Sequence, residues 1–413
     1  MTRAKRLSAM SADLARARDG GAFGGRERAF ATRVIAEVRR RGDAAVLEIV
    51  REFDHGAARR GDLLADRATL RRASRGVPSD VRRALDAAYS RIRAFHERQL
   101  PRPVRRADGA GEVRLTASPL GRVGALVPRG ATAYPSTALM TGVPAQVAGV
   151  RELVAASPMP PSGELDTALA YALTLVGAEL LYRVGGAAAV AALAYGTQTL
   201  ARADKIVGPG NAYTTAAKWL VSADVGIDAL QGPSELVAVA TKGANAHVLV
   251  LDLLAQAEHG SGAFAALISD DATLLHDVTS ALAARERATA KRIFLYLAPD
   301  ARSAVRAANE AAAEHVLLAG RGAAALAGAI DRAGAVFIGT RSPVALGDYV
   351  AGTNHCLPTG GTARWSSALR VEDFLRWTNR VQTRDAARLA RAGATIARYE
   401  RMTYHAASLE ART

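Results

Sequence analysis

Between about residue 120 and residue 233, short apolar runs alternate with stretches of helical length, and this alternation constrains the fold more than any other feature of the chain. The runs lie at 123–127, 152–156, 180–184 and 205–207, and helical stretches begin at Ser136, near Thr167, after Gly186 and after Asn211. Alternating βα units of this length predict a parallel sheet wrapped by helices. A second region of the same kind opens at Glu235, with strand-like runs at 235–239, 264–268, 292–297 and 335–338. The predicted class is α/β, with two Rossmann-like parallel-sheet domains.

The flanks read differently. From Glu27 to about Gln99, apolar positions such as Val34, Ile35 and Val38, then Ala45, Val46 and Ile49, recur at three- and four-residue spacing, which predicts helices with one buried face each. The first twenty residues are polar and small and end in Gly20 and Gly21, the pattern of a loosely held tail. Arg102 to Arg106, the densest basic stretch, reads as a surface connector, and beyond about Ser367 the chain is again helical and Arg-rich. At 413 residues it exceeds what one core usually serves, so two or more domains are expected.

Composition narrows the function classes. Hydrophobic residues make up 49% but aromatics only 5%, so Ala, Val, Leu and Ile must fill the interior. The formal charge of +15 comes almost wholly from arginines scattered beside Asp and Glu, as on solvated faces, and no aromatic interleaving or groove-reading module accompanies it. Nucleic acid is therefore not expected as a partner. A single cysteine, Cys356, forbids an internal disulfide and points to a buried thiol in a reducing compartment. No apolar run approaches the roughly 18 residues a membrane span requires, and no secretory leader is legible. A cytoplasmic protein without membrane contact is expected.

Several polar clusters stand out. Gln256 and His259 share a face at the end of an apolar helix over 248–257, where the negative end of the helix dipole favours a cation. By spacing they begin a metal site or form a solvated helix end. Glu314 and His315 sit side by side at an element boundary, a pairing suited to general acid/base work and equally compatible with an exposed pair. Asp348, in Gly347-Asp348-Tyr349, and His355, in Thr353-Asn-His355-Cys356, lie in a Gly-rich stretch without regular periodicity. Val184-Gly-Gly186 and Val207-Gly-Pro-Gly-Asn211 each follow a strand-like run and open a helix, where backbone amides can receive phosphate, though neither matches G-x-G-x-x-G.

Taken in order, these segments resemble the histidinol dehydrogenase family, from Arg39-Arg-Arg-Gly-Asp-Ala-Ala to His405. The most specific pieces are Tyr134-Pro-Ser, Ala192-Leu-Ala-Tyr-Gly-Thr, Asp204-Lys-Ile-Val-Gly-Pro-Gly-Asn211, Gly232-Pro-Ser-Glu235, Leu253-Leu-Ala-Gln-Ala-Glu-His259, Gly347-Asp-Tyr and Thr353-Asn-His. The resemblance implies a zinc- and NAD-dependent dehydrogenase that oxidises an amino alcohol, by default L-histidinol, through an aldehyde to a carboxylate. It implies Gln256, His259, Asp348 and His405 as ligands of one Zn2+ per subunit, His315 as the base that takes the hydroxyl proton, and Glu314 as the group that activates water. By the same resemblance, Ser234, His355 and Glu400 are expected to join these residues in holding substrate, and Asn211 to contact NAD. In the family the last ligand comes from the partner subunit, which implies a homodimer with shared active sites.

The resemblance also implies a domain plan: a flexible N-terminal tail over 1–21, a discontinuous main domain over 22–126 and 234–368 with the metal and acid/base site, a Rossmann-like nucleotide domain over 127–233, and a helical dimerisation tail over 369–413. Some positions depart from the family pattern. Leu126 stands where the family usually has Tyr and Ala188 where it has Gln, both nucleotide contacts; Arg129 interrupts a Pro-Gly-Gly turn, and Ala313 replaces a proline. These departures imply an altered cofactor site and a divergent homologue. The alternatives are a genuine L-histidine biosynthetic histidinol dehydrogenase, or a zinc hydrolase or lyase that has lost NAD use.

Overall fold

The apolar runs form two sheets of six strands each in the computed structural model, which describes residues 4–19, 23–260, 262–283, 285 and 292–412. The first sheet runs in the order Leu64–Asp66, Leu180–Tyr182, Glu152–Ala156, Arg122–Leu126, Lys205–Val207, Gly226–Ile227, parallel throughout except at the Leu64–Asp66 edge. The second is wholly parallel, in the order Lys5–Arg6, Ile293–Leu297, Phe264–Ser269, Glu235–Ala240, His315–Ala319, Ala335–Ile338. Its two strands Glu235–Ala240 and Phe264–Ser269 are buried at every position, which is why the sequence there reads as unbroken apolar runs rather than alternation.

Helices cover both faces, and their starts follow local chemistry. Asn211 caps Ala212–Val221 by accepting from Thr214 N, and Asn245 caps Ala246–Ala257 by accepting from Val248 N. Val34, Ile35, Val38, Ala45 and Val46 are all buried, as their spacing predicts.

The structure departs from four local expectations. First, residues 22–126 contribute a strand and covering helices to the first sheet, while Leu85, Ala88 and Ile92 also pack with Cys356, Leu369 and Val371. Arg122–Leu126 is a central strand of the first sheet, and the buried faces of Gly25–Arg41 and Asp43–Phe53 pack with residues 187–194 of Gly186–Tyr195 and with Ala216, Ala217 and Val221. Helical periodicity gives the buried face of a helix but not the sheet that it covers. Second, the part of the N-terminal segment that is described is not loose: Lys5–Arg6 adds an edge strand, and Met10–Asp19 buries Met10 and Leu14 in the second sheet's core. Residues 1–3 and 20–22, including Gly20 and Gly21, lie outside the described residues. Third, the basic stretch enters a strand, Val104–Asp108, in a three-stranded antiparallel sheet with Gly111–Pro119 and Leu375–Thr383. Every residue of Val104–Asp108 is exposed, so no apolar alternation marked it. Fourth, the C-terminal segment is α-helical only after the strand Leu375–Thr383, as Ala387–Tyr399 and Thr403–Glu410, with a single 3-10 turn at Val371–Phe374 before it. Among the described residues, no helix is long and apolar enough to cross a membrane.

Candidate active site

Segments from both sheets meet at one cavity. Loops following Leu126 and Val207 of the first sheet face the segments that lead into Glu235–Ala240 and His315–Ala319 of the second, and together they enclose a cavity of about 390 Å³. Its walls include Ser234, His259, Glu314, Asp348 and His355. Ser234 and Glu314 each precede the first residue of a strand, and those strands are hydrogen-bonded neighbours, Leu236 pairing with His315. Residues 80 positions apart are thus brought side by side by parallel register.

A connected set of hydrogen bonds fixes the inner wall. Gln256 Nε2 donates to Ser234 Oγ at 2.7 Å, Ser234 Oγ donates to Glu314 Oε2, and Glu235 N donates to the same oxygen at 2.9 Å. Burial pushes the Glu314 carboxyl up to about 8, against the opposing pull of these two donors. His315, also buried, has its Nδ1 3.3 Å from Glu235 O and its ring against Phe337. Burial lowers its pKa, with Asp348 acting in the opposite direction.

The histidines share a useful feature. His259 Nδ1 lies 3.1 Å from Ala255 O, His315 Nδ1 lies 3.3 Å from Glu235 O, and His355 Nδ1 lies 3.0 Å from Asp348 O. A carbonyl can only accept, so each neutral ring carries its proton on Nδ1 and keeps the Nε2 lone pair for a proton or a cation. Asp348, raised by burial, is drawn back down by His315 and His259. Burial also pushes His355 down to about 4, which keeps it neutral near neutrality.

Imidazole Nε2, carboxylate oxygen and amide oxygen are a donor set that zinc accepts, so His259, Asp348 and Gln256 fit a zinc site in chemistry. The fourth expected ligand is elsewhere: His405 and Glu400 are exposed on the C-terminal helices, and no residue beyond Thr359 lines the cavity. Within one chain the expected four-ligand set is therefore not assembled, and among the described residues no group of three His, Cys, Asp or Glu could hold a metal ion. The two C-terminal helices pack mainly on each other, beyond the antiparallel sheet that carries them.

A second cavity of about 750 Å³ lies beside Gly185 and Gly186 at the start of Gly186–Tyr195, with Asn211, Ala188 and Asp54 in its wall. Ala188 lines this cavity, whereas Leu126 is buried in the core and does not. Burial raises Asp54 to about 6, and the nearby Arg129 pulls it back.

A family model described as histidinol dehydrogenase matches residues 26–413. The chain belongs to the histidinol dehydrogenase family. A histidinol dehydrogenase from Synechococcus sp. is 42% identical over 92% of this chain and 90% of its own length. One from Rhodopseudomonas palustris is 45% identical over 84% of each. The crystal structure of histidinol dehydrogenase from Elizabethkingia anophelis superposes with a TM-score of 0.86 at 29% identity, covering 93% of this chain and 91% of that one. The chain is accordingly an oxidoreductase of this family. Similarity of this extent favours the biosynthetic alternative over the expected divergent homologue.

Some residues that shape the site were not singled out from sequence. Arg18 lies in the segment expected to be loose, yet it forms a two-point ion pair with buried Glu235, next to Ser234. Asn354 brackets His355: its Nδ2 donates to Met140 O at 2.6 Å and its Oδ1 accepts from Cys356 N at 2.9 Å.

Proposed function

We propose that the chain is a histidine-biosynthetic histidinol dehydrogenase, oxidising L-histidinol through the aldehyde to the carboxylate with two NAD per turnover. The observation that carries this is one cavity lined by Ser234, His259, Glu314, Asp348 and His355, with Gln256 hydrogen-bonded to Ser234 behind its wall, in a chain of this family.

His315 takes the hydroxyl proton through Nε2 while its Nδ1–H stays on the Glu235 carbonyl, which fixes the ring and keeps the charge-accepting nitrogen free. Glu314, once deprotonated, removes a proton from the water that attacks the aldehyde carbon. Ser234 and the Glu235 N–H hold that carboxylate in place. Gln256, His259 and Asp348 would hold zinc, with His405 from a second copy of the chain completing the set. When bound, zinc supplies an anchoring charge for the substrate's amino and imidazole nitrogens, and NAD supplies the hydride acceptor. Asn211 would contact the nucleotide in the 750 Å³ cavity. Held orientation of this kind can contribute roughly 7 kcal/mol or more to the barrier reduction.

A homodimer with shared sites is supported by the surface of the C-terminal arm, where Val381, Leu389, Ile396 and Tyr404 are all more than half exposed. Glu400 and His405 on this arm then reach the partner's cavity. Purified protein given zinc, NAD and L-histidinol should generate reduced cofactor. Silence with both NAD and NADP across a panel of amino alcohols would refute the reading.

A further inference from the structure

Lys218 is 1% exposed, on the inner face of Ala212–Val221, and lines neither cavity. A buried ammonium group is costly unless every proton has an acceptor. Here all three do: Gly208 O at 2.9 Å, Asp228 Oδ1 at 2.5 Å and Gln231 Oε1 at 3.2 Å. The other carboxylate oxygen of Asp228 accepts from Gly208 N at 2.8 Å and from Gln231 Nε2 at 3.1 Å. One ion pair therefore clamps both backbone polar atoms of Gly208 and both side-chain polar atoms of Gln231.

Those two residues begin the two loops that matter. Gly208 has φ of 101° and passes so close to Leu126 that an added Cβ would sit 2.5 Å from Leu126 O, so it admits only glycine; it leads through Pro209 and Gly210 to Asn211 on the nucleotide cavity. Gln231 leads through Gly232 and Pro233 to Ser234, which donates to Glu314. Thr215 adds a second tie, its Oγ1 lying 2.8 Å from Gln231 O and 3.2 Å from Asn211 O.

We propose that Lys218, Asp228 and Thr215 are positioning residues that lock the Gly208–Asn211 loop to the Gln231–Ser234 loop, so that the nucleotide wall and the Ser234–Glu314 pair are held in one fixed relation. The inference rests on the functional reading above. Its consequence is kinetic: loosening the lock misplaces nicotinamide relative to substrate without removing any group that touches either.

Two variants test it in the full-length enzyme. Thr215→Val keeps side-chain shape and removes the hydroxyl tie; Lys218→Met/Asp228→Leu replaces the ion pair with apolar side chains, an exchange that buried pairs often tolerate. The double variant is expected to lose at least about tenfold in kcat, and Thr215→Val about threefold, each with KM for L-histidinol and NAD held within about twofold, because misorientation is felt in the chemical step. Thr215→Val should melt within about 2 °C of wild type, so its loss is not unfolding. Wild-type kcat in both variants overturns the proposal, as does a loss that follows only the unfolded fraction and disappears on cooling the assay. Should the double variant fail to fold, Thr215→Val decides by the same kcat criterion. A silent wild type overturns the functional reading and this inference together, whereas an active wild type with unaffected variants overturns this inference alone.

Discussion

Replacing Arg18 by Met should destabilise the fold and impair catalysis together, although Arg18 lies in the N-terminal helix and touches no part of the cavity. Its guanidinium bonds Glu235 through Nε at 3.1 Å and Nη2 at 2.6 Å, and also donates to Ala311 O at 2.8 Å. The Glu235 side chain is 2% exposed, against 22% for Arg18, so removing the cation strands a carboxylate that water cannot reach; Gly360 N is its remaining donor. Breaking a buried pair from one side costs about 3–5 kcal/mol. An unfolding entropy of about 2.1 cal/mol/K per residue gives about 0.9 kcal/mol/K for 413 residues, so the melting temperature should fall by roughly 3–6 °C. Because Glu235 N and O hold Glu314 and His315, displacement of Glu235 should also lower kcat. The assay is thermal melting and steady-state kinetics on Arg18→Met, Glu235→Met and the double variant. The double variant should recover most of the lost stability, since neither charge is then left alone. A single variant that melts within 1 °C of wild type, or a double variant no better than the sum of the singles, would refute the reasoning.

Three further outcomes follow from the site. His315→Asn should lower kcat by about 10²–10⁴ with an unchanged melting temperature, as expected for loss of a general base; steady-state kinetics at saturating substrate checks it. For Glu314 the sign is set by burial: a carboxyl raised to about 8 is mostly protonated at neutrality, so oxidation of the aldehyde should accelerate as pH rises through about 8, and the Glu314→Gln variant should lose that limb while retaining alcohol oxidation. Deleting residues 386–413 should leave a monomer by sedimentation with both zinc retention and activity abolished; a truncated chain that still binds zinc and turns over would show that His405 is not a ligand.

What the sequence determined by itself is local and periodic. The unbroken apolar runs of Glu235–Ala240 and Phe264–Ser269 specify buried parallel strands, and Asn211 and Asn245 specify helix starts, because strand burial and capping depend on neighbours a few residues away. The motifs around Gln256, His259 and Glu314 were likewise legible as polar groups at element ends, and Asp348 and His355 as polar groups of a Gly-rich stretch without periodicity. Only the tertiary structure decided which sheet each helix covers, that Val104–Asp108 is a strand, and that Arg18 reaches Glu235 across 217 positions. It alone could place Ser234 beside Glu314, since the register of two parallel strands is set by packing across the sheet and leaves no periodic trace in either segment. His405 marks the boundary of both: its motif is plain in the sequence, yet the fold of one chain holds it on an exposed helix outside the cavity's lining, so the proposed ligand role rests on a second copy, whose docking depends on surface complementarity and not on the packing of a single core.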